Sequence, residues 1–385
     1  MSSRKIKVLV VDDSILFREI LIRNLGKDAH LEIVGYAVDS FDAFDKIKAL
    51  NPDVVTLDVE MPRMNGIEFL KKLMPEHPLP VVVVSSLPIN ALDALDAGAV
   101  DLVKKPLVRS PEDTAEFIRE LAAKIKIASI ARIGRLKPRQ DGQTPSGREP
   151  SAFADRSGSP KEPALLRTGF PKTRTPDTYD TLRRTASAGT AKIEIIAIGA
   201  STGGTDAIVE VVRDLPADSP GVVIVQHMPA GFTKMYAQRL DRVCRMSVKE
   251  CEDGDRVEQG KIILAAGGYH MRLAKDARGY YVKSTQGPKV SGHCPSVDAL
   301  FESVADAAGS KAIGVILTGM GADGAKGLLK MRQSGSYTIG QDKDSCVVYG
   351  MPMAAKNIGA VEKQLPLERI NAEILQICRT GNKLS

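Results

Sequence analysis

The sequence predicts an α/β protein with two folded units. The first is an N-terminal doubly wound, five-stranded parallel sheet. The second is a C-terminal α/β unit with a parallel sheet and an antiparallel hairpin, reached through a flexible linker. Three observations predict this. Short runs of Val, Ile and Leu recur between amphipathic stretches, as strands covered by helices on both faces require. Polar residues able to do chemistry fall just past those runs, where open α/β sheets bind ligands. Between the two sets, the 57 residues Arg132–Ala188 hold 24 Pro, Gly, Ser or Thr and keep no apolar period. Such a composition buries too little surface to offset its ordering entropy. The chain of 385 residues therefore divides into units at 1–130 and 191–385, with a tether at 131–190.

In the first unit, buried strands read as Ile6–Val11, Glu32–Ala37, Val54–Leu57, Val81–Val84 and Val100–Val103. Ile15, Leu16, Ile20 and Leu21, and later Ala115, Phe117, Ile118 and Leu121, mark the amphipathic helices between them. In the second unit Ile193–Ile198 runs into Gly199-Ala-Ser-Thr-Gly-Gly204, with a helix from about Asp206. Val222–Val225 leads to Gln226-His227, and Ala312–Leu317 to Thr318-Gly-Met-Gly-Ala-Asp-Gly324. Lys261–Ala274 and Tyr280–Thr285 read as antiparallel strands about an Ala277-Arg-Gly turn, and a helix from Pro366 closes the chain.

Composition excludes several classes. The formal net charge is +6, but Arg132–Ala188 alone has 12 basic against 6 acidic residues, so the folded units are neutral. With no Trp and no basic helix-turn-helix after the tether, a nucleic-acid partner has no footing. No apolar run approaches the roughly 20 residues that span a bilayer. The apolar start is cut short at Asp12-Asp13, too soon for a secretory leader. Five widely spaced cysteines (Cys244, Cys251, Cys294, Cys346, Cys378), with no C-x-x-C pair, read as reduced thiols. A cytoplasmic protein without membrane insertion is expected.

At the strand ends of the first unit stand Asp12, Asp13, Asp58, Ser85 and Lys105. Three converging carboxylates repel one another unless a cation joins them. Oxygen ligands suit Mg²⁺, which bridges to phosphate oxygens, while a Lys ammonium and a Ser hydroxyl hold the rest of a phosphoryl group. The bland reading is helix capping by Asp12-Asp13 and a solvated Lys105. In the second unit Ser201, His227 and Asp323 each follow a strand. A serine hydroxyl needs a base to become a nucleophile, histidine titrates in the right range, and a carboxylate fixes its tautomer. Glycines beside Ser201 leave N–H groups, that of Thr202 among them, to face an oxyanion at a helix start. The glycines alone would also suit a dinucleotide loop, but Ser201 and Gln226-His227 stand where that site wants Gly and an acid. His227 read singly is a core histidine and Asp323 a turn or cap residue. His270 and His293 sit beside turn residues, Asp298 reads as a first-turn helix acid, and Cys294 and Cys346 lack a patterned base.

Asp12-Asp13, the segment Asp58-Val-Glu-Met-Pro-Arg-Met-Asn-Gly66, Ser85 and Lys105-Pro106 resemble the receiver domain of two-component response regulators. The resemblance implies Mg²⁺-dependent phosphorylation of Asp58 by a CheA-type histidine kinase, with Asp12, Asp13 and the Glu60 backbone around the metal. Leu102 stands where many receivers carry an aromatic residue. Gly199-Ala-Ser-Thr-Gly-Gly204, Gln226-His-Met-Pro-Ala-Gly-Phe-Thr-Lys234, Arg239-Leu-Asp-Arg242, Pro295-Ser-Val-Asp-Ala-Leu-Phe301, Leu317–Gly324 and Tyr349-Gly-Met-Pro352 resemble the catalytic domain of the chemotaxis methylesterases. That implies demethylation of glutamyl methyl esters, and often deamidation of glutamines, in methyl-accepting chemoreceptors. Ser201, His227 and Asp323 take the triad positions, Met320 lies near the oxyanion, and the esterase chemistry needs no cofactor. Cys294 departs from the family's usual Arg. The alternative expectation is a receiver-controlled α/β binding module without hydrolase activity.

Overall fold

The computed structural model describes residues 4–106, 110–133 and 191–381. Residues 134–190 of the expected tether lie outside them. The first unit runs β1 (Ile6–Val11), α1 (Ile15–Leu25), β2 (Leu31–Ala37), α2 (Ser40–Leu50), β3 (Val54–Asp58), α3 (Gly66–Glu76), β4 (Val81–Ser85), α4 (Pro88–Asp96), β5 (Asp101–Lys104) and α5 (Pro111–Ala128). The sheet order is β2-β1-β3-β4-β5 with every pair parallel, so chain direction across the sheet reverses beside β1. That switch point opens a crevice at the carboxyl ends of β1 and β3. Val8–Val11 and Val81–Val84 are buried throughout, as strands covered on both faces must be.

Local capping sets the helix starts. Ser14 accepts from the Phe17 N–H, Asn65 from that of Glu68 and Ser110 from that of Asp113. The apolar pattern misleads at one place. Ile15 and Leu16 are 68% and 70% exposed, and Arg18 is buried in their stead, its guanidinium donating to the Asp12 carbonyl at 2.6 Å. Within the first turn of α1, that bond orients the helix rather than the hydrophobic stripe.

The second unit runs β6 (Ile195–Ala200), α6 (Gly204–Val212), β7 (Gly221–Gln226), α7 (Phe232–Val243), β8 (Ser247–Glu250), β9 (Lys261–Leu264), β10 (His270–Asp276), β11 (Gly279–Thr285) and α8 (Val297–Ala308). It continues with β12 (Ala312–Ile316), α9 (Ala325–Gln333), β13 (Tyr337–Gln341), α10 (Met351–Asn357), β14 (Lys363–Leu365) and α11 (Leu367–Thr380). Seven strands form a parallel sheet in the order β14-β13-β12-β6-β7-β9-β8. β10 and β11 form the separate antiparallel hairpin. The expected strand Lys261–Ala274 is therefore two elements. β9 joins the parallel sheet beside β7, and the chain breaks at Gly267-Gly268 before the hairpin. A Cβ on Gly267 would lie 2.5 Å from the Ala230 backbone nitrogen, and Gly268 sits at φ 84°, so only glycine fits this corner. Among the described residues no helix is long and apolar enough to cross a membrane.

Candidate active site

β6 is the centre of the second sheet and pairs with both β7 and β12. Ser201, His227 and Asp323 follow these three neighbouring strands, so the parallel topology brings residues 122 positions apart to one edge. Close approaches tighten the corner. A Cβ on Gly319 would lie 2.7 Å from Ser201 Cβ, and one on Gly204 2.2 Å from Gln226 Oε1. The Ser201 N–H donates to the Thr318 carbonyl at 3.0 Å, and the His227 N–H to that of Ala200 at 3.1 Å. Gln226 Nε2 donates to the Ser201 carbonyl at 2.9 Å, joining the serine and histidine segments through a buried amide.

His227 Nε2 and Asp323 Oδ2 are 2.8 Å apart. Asp323 is buried at the N-terminus of α8, where its oxygens accept from Ser296 Oγ (2.8 Å) and the N–H groups of Val297 (2.8 Å) and Asp298 (2.9 Å). Burial pushes this carboxyl up, but His227 and the helix-start donors outweigh it and hold it below the ordinary 3.8. An ionised Asp323 fixes the His227 tautomer with its proton on Nε2. Nδ1 is left buried, with no hydrogen-bonding partner among the described residues. Ser201, Thr202, Gly203 and His227 line one crevice. Thr202 follows Ser201 directly, and Met320, 40% exposed, follows Gly319 at its other side.

Two features escape a reading of the sequence. His293 lies flat on His227, ring centroids 3.8 Å apart and planes 7° from parallel. Asp298 is not only a first-turn acid, since it accepts from the Gly327 N–H at 2.8 Å and Ser291 Oγ at 2.7 Å. The Ser291-Gly292 pair, a turn signal between Val290 and His293, is the one mark that flags this loop. The thiols are poor rivals as nucleophiles: burial pushes Cys346 up to about 12 and raises Cys294. His270 is buried with Nε2 against the Pro288 carbonyl at 2.9 Å, away from the crevice.

In the first unit, Asp12, Asp13 and Asp58 offer carboxylate oxygens within 4.8 Å of one another. Lys105 Nζ donates to Asp58 Oδ2 and lies 3.0 Å from Asp12 Oδ2. Burial pushes Asp12 up to about 6, with Lys105 opposing and Asp58 reinforcing the shift. A hard divalent cation fits this oxygen set and would relieve the mutual repulsion. The Glu60 N–H donates to Asp58 Oδ1 at 3.0 Å, which sets its carboxylate. Ser85 Oγ lies 3.2 Å from Glu60 Oε1 and 3.1 Å from the Leu87 carbonyl, so here it ties the β4 end to the β3 loop.

The two units meet at the crevice. Leu95, Val100, Asp101 and Leu102 of the first line it opposite Ser201 and His227, leaving ≈ 10 Å³ of open space, barely room for one water. Thr202 Oγ1 donates to Asp101 Oδ2, and Arg239 pairs with Asp96. Lys289 bonds Glu116 at 3.0 Å. Lys124, on α5, donates to Asp101 Oδ1 at 2.7 Å and so braces the inserted carboxylate.

Fold and site define a response regulator whose output unit carries serine, histidine and aspartate at the crest of a parallel sheet. Comparison with known proteins narrows this: the chain belongs to the CheB methylesterase family. The CheB methylesterase model matches residues 196–374, and the response regulator receiver domain model residues 8–116. The protein-glutamate methylesterase/protein-glutamine glutaminase 2 of Syntrophomonas wolfei is 50% identical over 98% of this chain and 99% of its own. The corresponding protein of Syntrophotalea carbinolica is 44% identical over 97% of this chain and 98% of its own. The solved catalytic domain of Thermotoga maritima CheB methylesterase is 37% identical, covering 49% of this chain and 100% of that one at a TM-score of 0.47.

Proposed function

We propose that this chain is a phosphorylation-regulated protein-glutamate methylesterase acting on methyl-accepting chemoreceptors. Residues 1–130 act as its control module, 131–190 as a tether and 191–385 as the catalytic unit. The observation that carries the reading is the His227–Asp323 pair at the crevice holding Ser201, with the receiver seated over it.

The reaction follows from these atoms. Ser201 Oγ attacks the side-chain carbonyl carbon of a glutamyl methyl ester while His227 Nδ1 takes its proton. Asp323 accepts from Nε2 and stabilises the imidazolium without itself taking the proton. The Thr202 and Met320 backbones flank the developing oxyanion. The proton returns to the leaving oxygen, methanol departs, and water repeats the sequence on the acyl-enzyme to give glutamate. A glutamine amide reaches the same acyl-enzyme with ammonia leaving, which accounts for the second activity in the relatives' names. The esterase steps use no cofactor.

Control follows from the closed crevice. A CheA-type histidine kinase is the proposed phosphodonor and Asp58 the acceptor. Mg²⁺ bound by Asp12, Asp13, Asp58 and the Glu60 carbonyl would supply positive charge against the phosphoryl oxygens. Lys105 moves from pairing with Asp12 and Asp58 to hold the phosphoryl group, alongside Ser85. Loosening of the receiver then opens Ser201. The place of work is the cytoplasm. Methanol release from a methylated chemoreceptor, with and without Mg²⁺ and a small phosphodonor, tests the reading. Release that rises with the donor supports it. Equal release under both conditions refutes receiver control, and none under either returns the second unit to a binding module.

A further inference from the structure

The loop between β11 and α8 contributes a feature outside the proposed triad. Val290 and His293 exchange backbone hydrogen bonds, 3.0 Å from Val290 N and 2.9 Å from His293 N. Between them Ser291 at φ 50° and Gly292 at φ 85° turn through the left-handed region, as a two-residue hairpin turn demands. That region is unfavourable for serine. Ser291 is pinned there by its hydroxyl, which donates to the buried Asp298. Asp298 is anchored in turn by the Gly327 N–H. One helix start thus supports both imidazoles: α8 holds Asp323, which bonds His227, and Asp298, which fixes the turn bearing His293.

Asp323 secures only one edge of the His227 ring. The torsion about the Cβ–Cγ bond of a histidine is broad, so an edge contact alone leaves the ring free to tilt. A parallel ring 3.8 Å away removes that freedom. We propose that His293 is a positioning residue for the reaction: by stacking on His227 it holds the ring with Nε2 on Asp323 and leaves Nδ1, which is bonded to no other described group, to take the serine proton, and its face covers the charge His227 then gains. This rests on the triad reading above. The titratable groups facing His293 are His227, Asp323, Lys124 and Lys289. Burial first, then His227, brings its own pKa down to about 4, so at neutral pH it adds no repelling charge to the stack.

The test compares the full chain, supplied with Mg²⁺ and a small phosphodonor, with Ser201→Ala, His293→Ala, His293→Asn and His293→Phe. Steady-state methanol release gives kcat and KM, and the labelling rate of Ser201 by a fluorophosphonate probe reports the nucleophile without receptor. The non-stacking Ala and Asn variants lose about tenfold in kcat and labelling rate with KM held, the scale of a misaligned base. Phe, flat and uncharged, restores most of the rate. Two non-stacking variants keep the test open should one fail to fold, as thermal melts will show. Unchanged kcat in a folded Ala or Asn variant overturns the proposal, as does a Phe variant as slow as Ala. If Ser201→Ala is as active as the parent, the triad reading itself fails, and His293 with it.

Discussion

Replacing Asp101 with asparagine weakens the contact that closes the crevice while keeping the size of the side chain. Asp101 is 12% exposed and accepts from two directions, Thr202 Oγ1 across the interface and Lys124 Nζ on its own unit. The carboxylate accepts with charge from both. The amide retains one oxygen and turns an NH₂ toward the other donor. A charged hydrogen bond contributes about 1.5–3 kcal/mol and a neutral one about 1 kcal/mol, so the closed state loses about 1.5 kcal/mol. At 1.36 kcal/mol per decade, the ratio of closed to open chain falls about tenfold. Basal methanol release, measured without phosphodonor, therefore rises about tenfold, bounded above by the rate of the phosphorylated chain. The rate with Mg²⁺ and phosphodonor stays where it was, since Asp101 does no chemistry. Basal release equal to the parent's, in a variant that melts at the parent's temperature, would refute the reasoning that this carboxylate holds the crevice shut.

Four further outcomes are expected. Ser201→Ala abolishes methanol release, with a loss beyond about 10³-fold and an unchanged melting temperature; appreciable turnover in the folded variant removes Ser201 as nucleophile. Asp323→Asn lowers kcat about 10³–10⁴-fold by releasing the His227 tautomer. It also changes acid stability: a carboxyl held below 3.8 contributes stability present above its unfolded pKa and lost as pH falls through the folded value. Urea titrations should show the parent's advantage constant above about pH 5 and shrinking below about pH 4, and a pH-independent difference contradicts this. Gly319→Ala drives a methyl group to 2.4 Å from Met351 Sδ and 2.7 Å from Ser201 Cβ, so kcat drops about a hundredfold; wild-type kinetics would show that the corner yields freely. Raising salt toward 1 M screens the exposed Lys289–Glu116 pair and the Arg239–Asp96 pair, lifting basal release severalfold while leaving the phosphorylated rate constant. Basal release indifferent to salt would exclude these pairs as part of the closure.

The chemistry at the strand ends was legible because period and position carry it. Apolar runs mark the parallel strands; Asp58 closes β3, Ser201 and His227 come directly after β6 and β7, and Asp323 lies in the glycine-rich loop after β12. The hidden parts lack such a frame. β8 and β14 are short edge strands of four and three residues, too brief for a period to register. Lys261–Ala274 reads as one strand because apolar residues recur through β9 and β10, and only Gly267-Gly268 marks where the chain leaves one sheet for another. Ile15 and Leu16 look like core, yet a buried arginine displaces them. His293 is fixed by a turn and by Asp298, neither of which follows a helix or strand pattern. The Thr202–Asp101 contact joins residues 101 positions apart on separate units, a distance that local pattern cannot bridge.

Strand β5 links the two ends of the control circuit in a single short span. Asp101, which enters the esterase crevice, opens the strand, and Lys105, which bonds Asp58, comes one residue after its end. At about 3.3 Å per residue the two lie roughly 13 Å apart along one extended segment. Side chains on such a segment alternate faces with a period of two. A one-residue insertion between them would leave Lys105 with Asp58 and turn Asp101 to the opposite face of the sheet. A chain of that kind would accept phosphate normally while lacking the Asp101 contact with Thr202, so its basal release would already be raised and its response to phosphate reduced. The number of residues in β5 is thus under as tight a constraint as their identity, and a two-residue change in length restores the facing only by lifting Asp101 some 7 Å out of reach of Thr202.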